Sequence, residues 1–308
     1  MDRLRLRLLE PERTLLAVEV RPQSLGAVRL AWEGDRPVVS AGASLDLPPG
    51  TLTLSMTQPN VQDKAAFART LRAVLERAGG LEGGNVTLVL PDPVARVALV
   101  PATEVAARGR TELDEMLRFR LKKAVPFDVR DARLAVVPSR NDTGLLLVAA
   151  IFRPVLEGYE QALRDLGFEP GQVELSALAL AERAARPAGD SALVNWDHGY
   201  VSIVILRDGW PVLFRTLVGD FTASAEPVVR EATNTVLYYR ERLAGAGLAS
   251  AVLRSAFLPP EDAAALLREP LGVTPTVLDA WAGLAPGEEG AGQALAGAAA
   301  ALLRGVAA

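Results

Sequence analysis

Cysteine is absent from this 308-residue chain, histidine occurs once, and aromatic residues make up only 5% of it. Without cysteine there is no disulfide frame, no thiolate metal site and no thiol nucleophile, which fits a reducing, cytoplasmic address. The single histidine, His198, leaves little room for imidazole chemistry, and no G-x-S-x-G nucleophile motif occurs. A chain that is 50% hydrophobic yet poor in aromatics must build its core from Ala, Leu and Val. The net charge of −4 argues against a general nucleic-acid binder. Long apolar runs are missing too. The opening RLRLRLLEPER lacks the apolar stretch and cleavage site of a signal peptide, and ALAGAAAALL is too short and Ala-rich to span a bilayer. A soluble chain of about two domains is expected.

What is present is an internal repeat. LLAVEVRPQSLGAVRLAWEGDRPVVSAG reads as strands Leu15–Val20, Leu25–Trp32 and Pro37–Ala41, and ALVNWDHGYVSIVILRDGWPVLFRTL as strands Ala192–Trp196, Val201–Leu206 and Pro211–Leu217. The last turn falls at Gly34-Asp35 in one copy and at Asp208-Gly209 in the other, pairs suited to positive φ in a tight hairpin. A helical stripe follows each: Phe67, Leu71, Val74, Leu75 and Ala78, then Val229, Ala232, Val236, Tyr239 and Leu243. Next come strands NVTLVLPDP and SAVLRSAFLPP, then the helix-turn-strand pairs RDLGFEPGQVEL and REPLGVTPTVLD. The final helices are Ser176–Ala185 and about Gln293–Gly305. A βββαβαβα plan occurring twice resembles the actin-like, or ribonuclease-H-like, α/β fold, which holds its ligand in the cleft between the halves.

Copy one carries about sixty extra residues, Pro93–Arg153, read as strand Val94–Val100, helix Thr111–Ala124 and strands Ala132–Pro138 and Gly144–Phe152. A segment with its own strands and helix is an inserted α+β subdomain. The first half therefore takes residues 1–92 and 153–187, the insert 93–152 and the second half 188–308.

The insert RTELDEMLRFRLKKAVPFDVRDARLAV resembles the PilM-type proteins of type IV pilus assembly, in which a glutamate-leucine helix leads to Pro-Phe and a strand. The likeness continues through LLLVAAIFRPVLEGYEQALRDLGFEPGQVELSALALAERA, WPVLFRTLVGD, EATNTVLYYRERL and the closing ALAGAAAALLRG, and so covers most of the chain. The cytoplasmic part of the type II secretion L protein is a structural cousin of that family. The resemblance implies a cytoplasmic protein peripheral to the inner membrane. It also implies a membrane-spanning PilN-like partner, held by its short cytoplasmic tail.

The same resemblance implies a nucleotide cleft, against which these residues can be compared. Where PilM-type proteins have G-I-D-I-G-S-S-S-V-K, this chain has AVEVRPQSLG: Glu19 replaces the aspartate, Arg21-Pro22 the Gly-Ser turn, and Ser24 survives. Pro22 has no amide hydrogen to offer a phosphate, and Arg21 has a Cβ where close approach needs glycine. The Asp-x-Gly of the second hairpin is replaced by Asn195 and Asp197, whose carboxylate would repel a phosphate. The adenine-side turn, SAFLPP, has no glycine, and beyond Gly219 the chain reaches its long helix near Glu226 without the family's extra helical segment. Either Arg21 and Asp197 form a different phosphate site, or the cleft has lost its ligand and they pair with each other or with water. The second reading is favoured, because no replacement glycine-rich turn occurs; ATP with Mg is disfavoured as a cofactor.

The remaining signals are weaker. Asp92, Asp114, Glu115 and Asp128 are scattered acids rather than a metal-ligand pattern, and His198 reads as an exposed turn residue. Arg3, Arg5 and Arg7 alternating with Leu4, Leu6 and Leu8 suit a charged edge strand or a contact with a membrane surface. On the inserted helix, Arg118, Arg120, Lys122 and Lys123 form a basic face over Leu117, Leu121 and Ala124. Phe119 and Phe127 could wall a groove between insert and core, with Arg118 and Arg120 at its rim, where a partner's tail would dock. The expectation is a nonenzymatic adaptor of a pilus or secretion assembly that captures such a tail. A slow ATPase or ATP-gated switch of the same fold is the alternative, and a sugar or acetate kinase a distant third.

Overall fold

Two five-stranded sheets with the same strand order carry the two copies of the repeat. The computed structural model describes residues 14–34, 36–104, 110–138, 144–184, 189–281 and 292–303. The first sheet holds β1 (Leu16–Val20), β2 (Ser24–Glu33), β3 (Arg36–Asp46), β4 (Gly84–Leu90) and, after the insert, β8 (Phe168–Leu175), in the order β3-β2-β1-β4-β8. The second holds β9 (Ser191–Asp197), β10 (Tyr200–Arg207), β11 (Trp210–Val218), β12 (Ser250–Ser255) and β13 (Thr276–Val277), in the order β11-β10-β9-β12-β13. In both, three antiparallel strands lead into two parallel ones. This is the duplicated actin-like plan.

Asp208 and Gly209 both have positive φ (51° and 74°), the backbone a two-residue hairpin with right-handed strand twist requires. In the other copy Gly34 has φ 62°, while Asp35 lies outside the described residues. The corresponding strand β3 runs on to Asp46, past the expected end at Ala41, because it pairs with β2 down to Ser24. The N-terminal arginine-leucine alternation and Arg304 also lie outside the described residues.

Helix α1 (Lys64–Arg77) is capped by Asp63, whose carboxylate accepts the Ala66 N–H at 2.9 Å, and it buries Phe67, Leu71, Val74 and Leu75 against the first sheet. Its counterpart α5 (Glu226–Arg242) buries Val228, Ala232, Val236 and Tyr239; Val228 takes the place expected of Val229. The insert forms a third sheet, order β5-β7-β6, from β5 (Ala95–Pro101), β6 (Ala132–Pro138) and β7 (Leu145–Phe152). Helix α2 (Arg110–Leu121) packs Leu117 and Leu121 onto it, and α3 (Arg153–Arg164) returns the chain to the first half. The α2 helix stops at Leu121 rather than Ala124, and Ala124 is exposed.

Alanine-rich helices close the two halves. Helix α4 (Ser176–Ala184) leaves β8 and packs on β9 and β10 of the second sheet, whereas α7 (Ala296–Leu302) packs on β1, β2 and β4 of the first. The two helices touch, and Ala177, Leu180, Ala181, Ala296, Ala299 and Ala300 share one core with Leu193, Val204 and Val252. Small side chains let two helices lie between two sheets at close range, which is why alanine rather than aromatic bulk fills this region. Helix α6 (Pro260–Leu271) completes the second half and ends at Gly272, whose φ of 71° makes the left-handed cap. Among the described residues no helix is long and apolar enough to cross a membrane.

Candidate functional site

The hairpin turns β1–β2 and β9–β10 face each other across the halves, and the side chains at their bases form one buried polar network. Arg21, at the end of β1, donates from Nε and Nη2 to Asp197 Oδ2 and Oδ1 at 2.8 and 2.9 Å, a two-pronged bond from one half to the other. Its Nη1 donates to Ser24 Oγ at 3.2 Å, and Nη2 also reaches the Ala256 carbonyl at 3.3 Å. Arg254 projects from β12 and is fully buried. It donates to Asp197 Oδ2 at 2.7 Å, to Asn195 Oδ1 at 3.1 Å, to Glu19 Oε1 at 3.5 Å and to the Gln293 carbonyl at 2.9 Å.

Glu19 accepts the Ala298 N–H at 2.9 Å on its other oxygen, so the first turn of α7 sits on this carboxylate. Gly297 is required for that approach: a Cβ there would lie 2.5 Å from Glu19 Oε1. Asn195 donates to Asp92 Oδ2 at 3.0 Å and to Ser176 Oγ at 3.2 Å, and Asp92 accepts the Ala177 N–H at 2.8 Å. Glu19, Asp92, Asn195 and Asp197 are all fully buried.

Burial and pairing compete at each acid. At Asp197 burial works to raise the pKa, but Arg254, the His198 ring and Arg21 together hold the carboxyl well below the usual carboxylate range. Burial prevails at Glu19, which stays raised despite Arg254 and Arg21. Asp92 is pushed up to about 6 by burial, against hydrogen bonds from Ala177, Ser202 and Asn195. Two guanidiniums therefore serve three carboxyls, and Asp92 is the member farthest from a cation.

Of the cleft residues expected from sequence, Glu19, Arg21, Ser24, Asn195 and Asp197 come together in this network, while Gly219 lies on the rim of an adjoining cavity. That cavity, about 1040 Å³, opens above the turns between Pro22, Leu52 and Leu54 on one side and His198, Gly219, Asp220 and Phe257 on the other. The His198 ring is part-exposed, lies edge-on to Phe257 at 5.2 Å and sits 3.4 Å from Asp197. A nucleotide phosphate would need free N–H donors here. Pro22 has none, and all three guanidinium nitrogens of Arg21 donate within the chain, so these two residues offer a phosphate no free donor; Asp197 is fully buried behind them. Among the described residues no group of three or more metal-binding side chains is placed to hold a metal ion.

Ser176 and Arg254 were not singled out from the sequence as site residues, and Asp92 was read only as a scattered acid. Arg254 carried a signal: a lone arginine within the apolar strand SAVLRS must find a carboxylate if the strand is central. Asp92 carried another, standing between two prolines just past the end of a parallel strand, where α/β sheets place their ligands.

On the insert, the four expected docking residues separate. Phe119 is 80% exposed, and Arg120 lies beside it on the solvent side. Phe127 is partly buried and packs on Phe152 at 5.1 Å between ring centres. Arg118 is tied into the subdomain instead of standing at a rim: it bonds Asp114 at 2.7 Å and donates to the carbonyls of Val129 at 2.6 Å and Ala132 at 3.3 Å.

A groove does lie between insert and first half, on another face. The cross-strand pairs Arg133/Ile151, Ala135/Ala149 and Val137/Leu147 put one side of β6–β7 opposite the edge strand β8. The space between them is about 360 Å³, with Val137, Leu147 and Ala149 facing Pro170, Val173 and Leu178, and with Arg133, Glu160 and Glu174 as its charges.

No protein-family model matches the chain, and no curated protein matches it. Solved structures do. The chain is similar to a PilM-PilN type IV pilus biogenesis complex, with TM-score 0.78 and 22% identity over 96% of this chain and 100% of that one. It is also similar to a Bacteroides thetaiotaomicron protein of actin-like ATPase fold and unknown function, with TM-score 0.52 and 10% identity over 85% of this chain and 88% of that one. A weaker likeness, TM-score 0.49 and 14% identity over 79% and 83%, is to the cytoplasmic domain of EpsL of the Vibrio cholerae type II secretion system. The likeness establishes the actin-like fold.

Proposed function

We propose that this chain is a nonenzymatic adaptor of a type IV pilus or related inner-membrane assembly. It captures the short cytoplasmic tail of a membrane-spanning PilN-like protein. The observation that carries this reading is the groove between β8 and the β6–β7 face, in a fold whose strong structural likeness is to a PilM-PilN complex. Its walls are largely apolar, and Val137 and Val173 stand 40% and 37% exposed. Among the described residues β8 pairs only with β4, so its outer edge offers unpaired main-chain groups to an extended peptide. A tail ordered on binding loses conformational entropy, so a few apolar side chains seated between Val137, Ala149 and Val173 must supply the affinity.

Arg118, Phe119, Arg120 and Phe127 are not among the residues that line this groove. The docking surface proposed here is accordingly the β6–β7–β8 face, not the α2 face. Coexpression of the chain with a PilN-like protein of the same organism tests both levels of the proposal. The parent should copurify the partner from detergent-solubilised membranes, and Val173→Asp should lose it while melting at the parent's temperature. Equal recovery by the variant would remove the groove. Recovery by neither would remove the adaptor.

A further inference from the structure

The network at the cleft does something that none of its members needs for packing: it ties one half of the chain to the other. Arg21 belongs to the first half and Asp197 to the second; Arg254 belongs to the second and Glu19 to the first. Asp197 takes both prongs of Arg21 and a third bond from Arg254, so the two ties share one carboxylate. Ala256, just past β12, accepts from Arg21 as well. These groups occupy the bases of the two turns, the place where an actin-like fold holds its ligand between the halves.

We infer that Arg21 and Arg254 clamp the halves together through Asp197 and Glu19, so that closure of the cleft is a property of the chain and not of a bound nucleotide. The guanidiniums supply the positive charge between two acidic strand ends, and they are anchored covalently where a cation and its nucleotide would have to be recruited. Helices α4 and α7 hold the base of the interface, and the clamp holds the level above it, beneath the open cavity lined by Pro49 and Thr222. A fixed separation of the halves follows, insensitive to the cell's nucleotide state. The inference deepens the nonenzymatic half of the reading above and does not depend on the partner.

Spin labels across the cavity test it directly. The chain has no cysteine of its own, so Pro49→Cys and Ala223→Cys, both exposed and outside the network, give one labelled pair. The parent pair should show a single narrow distance that millimolar Mg-ATP leaves unchanged. Arg21→Met should shift the distribution to longer and broader distances while the circular dichroism spectrum stays that of the parent. A parent distribution that narrows or shifts with Mg-ATP would overturn the inference, as would an Arg21→Met distribution identical to the parent's. Should Arg21→Met not fold, Arg21→Lys keeps the charge but loses the fork. It should still broaden the distance, and an unchanged width there would count equally against the clamp. Because no partner is present, failure here leaves the adaptor reading standing, and loss of copurification there leaves the clamp standing.

Discussion

Replacing Arg254 by methionine should be among the most damaging single changes in the second half of the chain. Methionine is similar in length and apolar, so little volume is lost, and the effect isolates the charge. Four bonds disappear: to Asp197 at 2.7 Å, Asn195 at 3.1 Å, Glu19 at 3.5 Å and the Gln293 carbonyl at 2.9 Å. Removing one partner of a buried pair costs about 3–5 kcal/mol, because the other charge is left without compensation. Asp197 keeps the two prongs of Arg21, so its loss is partial. Glu19 loses the closest of its cations and keeps only neutral donors within hydrogen-bond reach, Ala298 N–H and Ser176 Oγ, so it will take up a proton. That neutralisation caps the damage, and about 4 kcal/mol is the expected total.

For 308 residues the unfolding entropy is about 0.65 kcal/mol/K, so 4 kcal/mol lowers the melting temperature by roughly 6 °C. Urea unfolding of the parent, Arg254→Met, Glu19→Gln and the double variant measures it. The double variant removes both charges of one tie and should be more stable than Arg254→Met alone by about 1 kcal/mol or more. A loss below about 1 kcal/mol for Arg254→Met, or a double variant equal to the sum of the singles, would refute the view that Arg254 neutralises Glu19.

Three further outcomes are expected. Gly297→Ala puts a methyl 2.5 Å from Oε1 of Glu19, whose two oxygens Arg254 and Ala298 hold in place, so it should cost roughly 1–3 kcal/mol in calorimetry despite alanine's better helix propensity. Asp92 has its pKa raised from 3.8 to about 6, so its contribution to stability is fully present below pH 3.8 and is lost as pH rises through 6. Relative to Asp92→Asn, the parent should therefore gain on the order of 2 kcal/mol between pH 7 and pH 4, and parallel pH profiles would contradict the assignment. Arg118→Glu should lower the melting temperature by breaking bonds to the Val129 and Ala132 carbonyls, at a cost of about 2 kcal/mol, whereas Phe119→Ser, at 80% exposure, should leave it within experimental error.

The fold was legible because the chain states its plan twice. Either copy alone, for instance Leu15–Ala41, offers three short apolar runs that suit many topologies; the recurrence of the same turns and helical stripes in Ala192–Leu243 removes most of them. Helix ends were less legible, since α2 stops at Leu121 where the basic pair Lys122-Lys123 and Pro126 left several endings open. Which valine of α5 turns inward, Val228 or Val229, depends on the sheet beneath and not on the helix's own pattern. The setting of Arg118 was hidden for a similar reason. Arg118 looked like a solvated cation, but the carbonyls of the Val129–Asp131 turn lie within its reach only once β6 has folded back under α2.

At the cleft the sequence showed that the glycine turns expected from the resemblance are absent, and it could not show the network that stands there. Asn195 and Arg254 are neighbours across β9–β12, and Glu19 meets Ala298, 279 residues away, only because α7 returns to the first sheet. No local pattern encodes such a meeting. Physically, the network is still constrained. The cleft buries two acids, Glu19 in β1 and Asp197 at the end of β9, the latter at the hairpin position that Arg21 holds in the first half, and buried carboxylates without cations are too costly to persist. The cations that meet these acids are side chains of the chain itself, Arg21 and Arg254. An apolar pair of similar volume would pack as well and cost less desolvation, so stability alone gives no reason for the guanidiniums. Geometry does: a planar fork meets Asp197 in one orientation, and a fully buried Arg254 bonded to both acids fixes the separation of the strands that carry them. What the network contributes is position: Arg21 and Arg254 each bond across the two halves, above the core that α4 and α7 share.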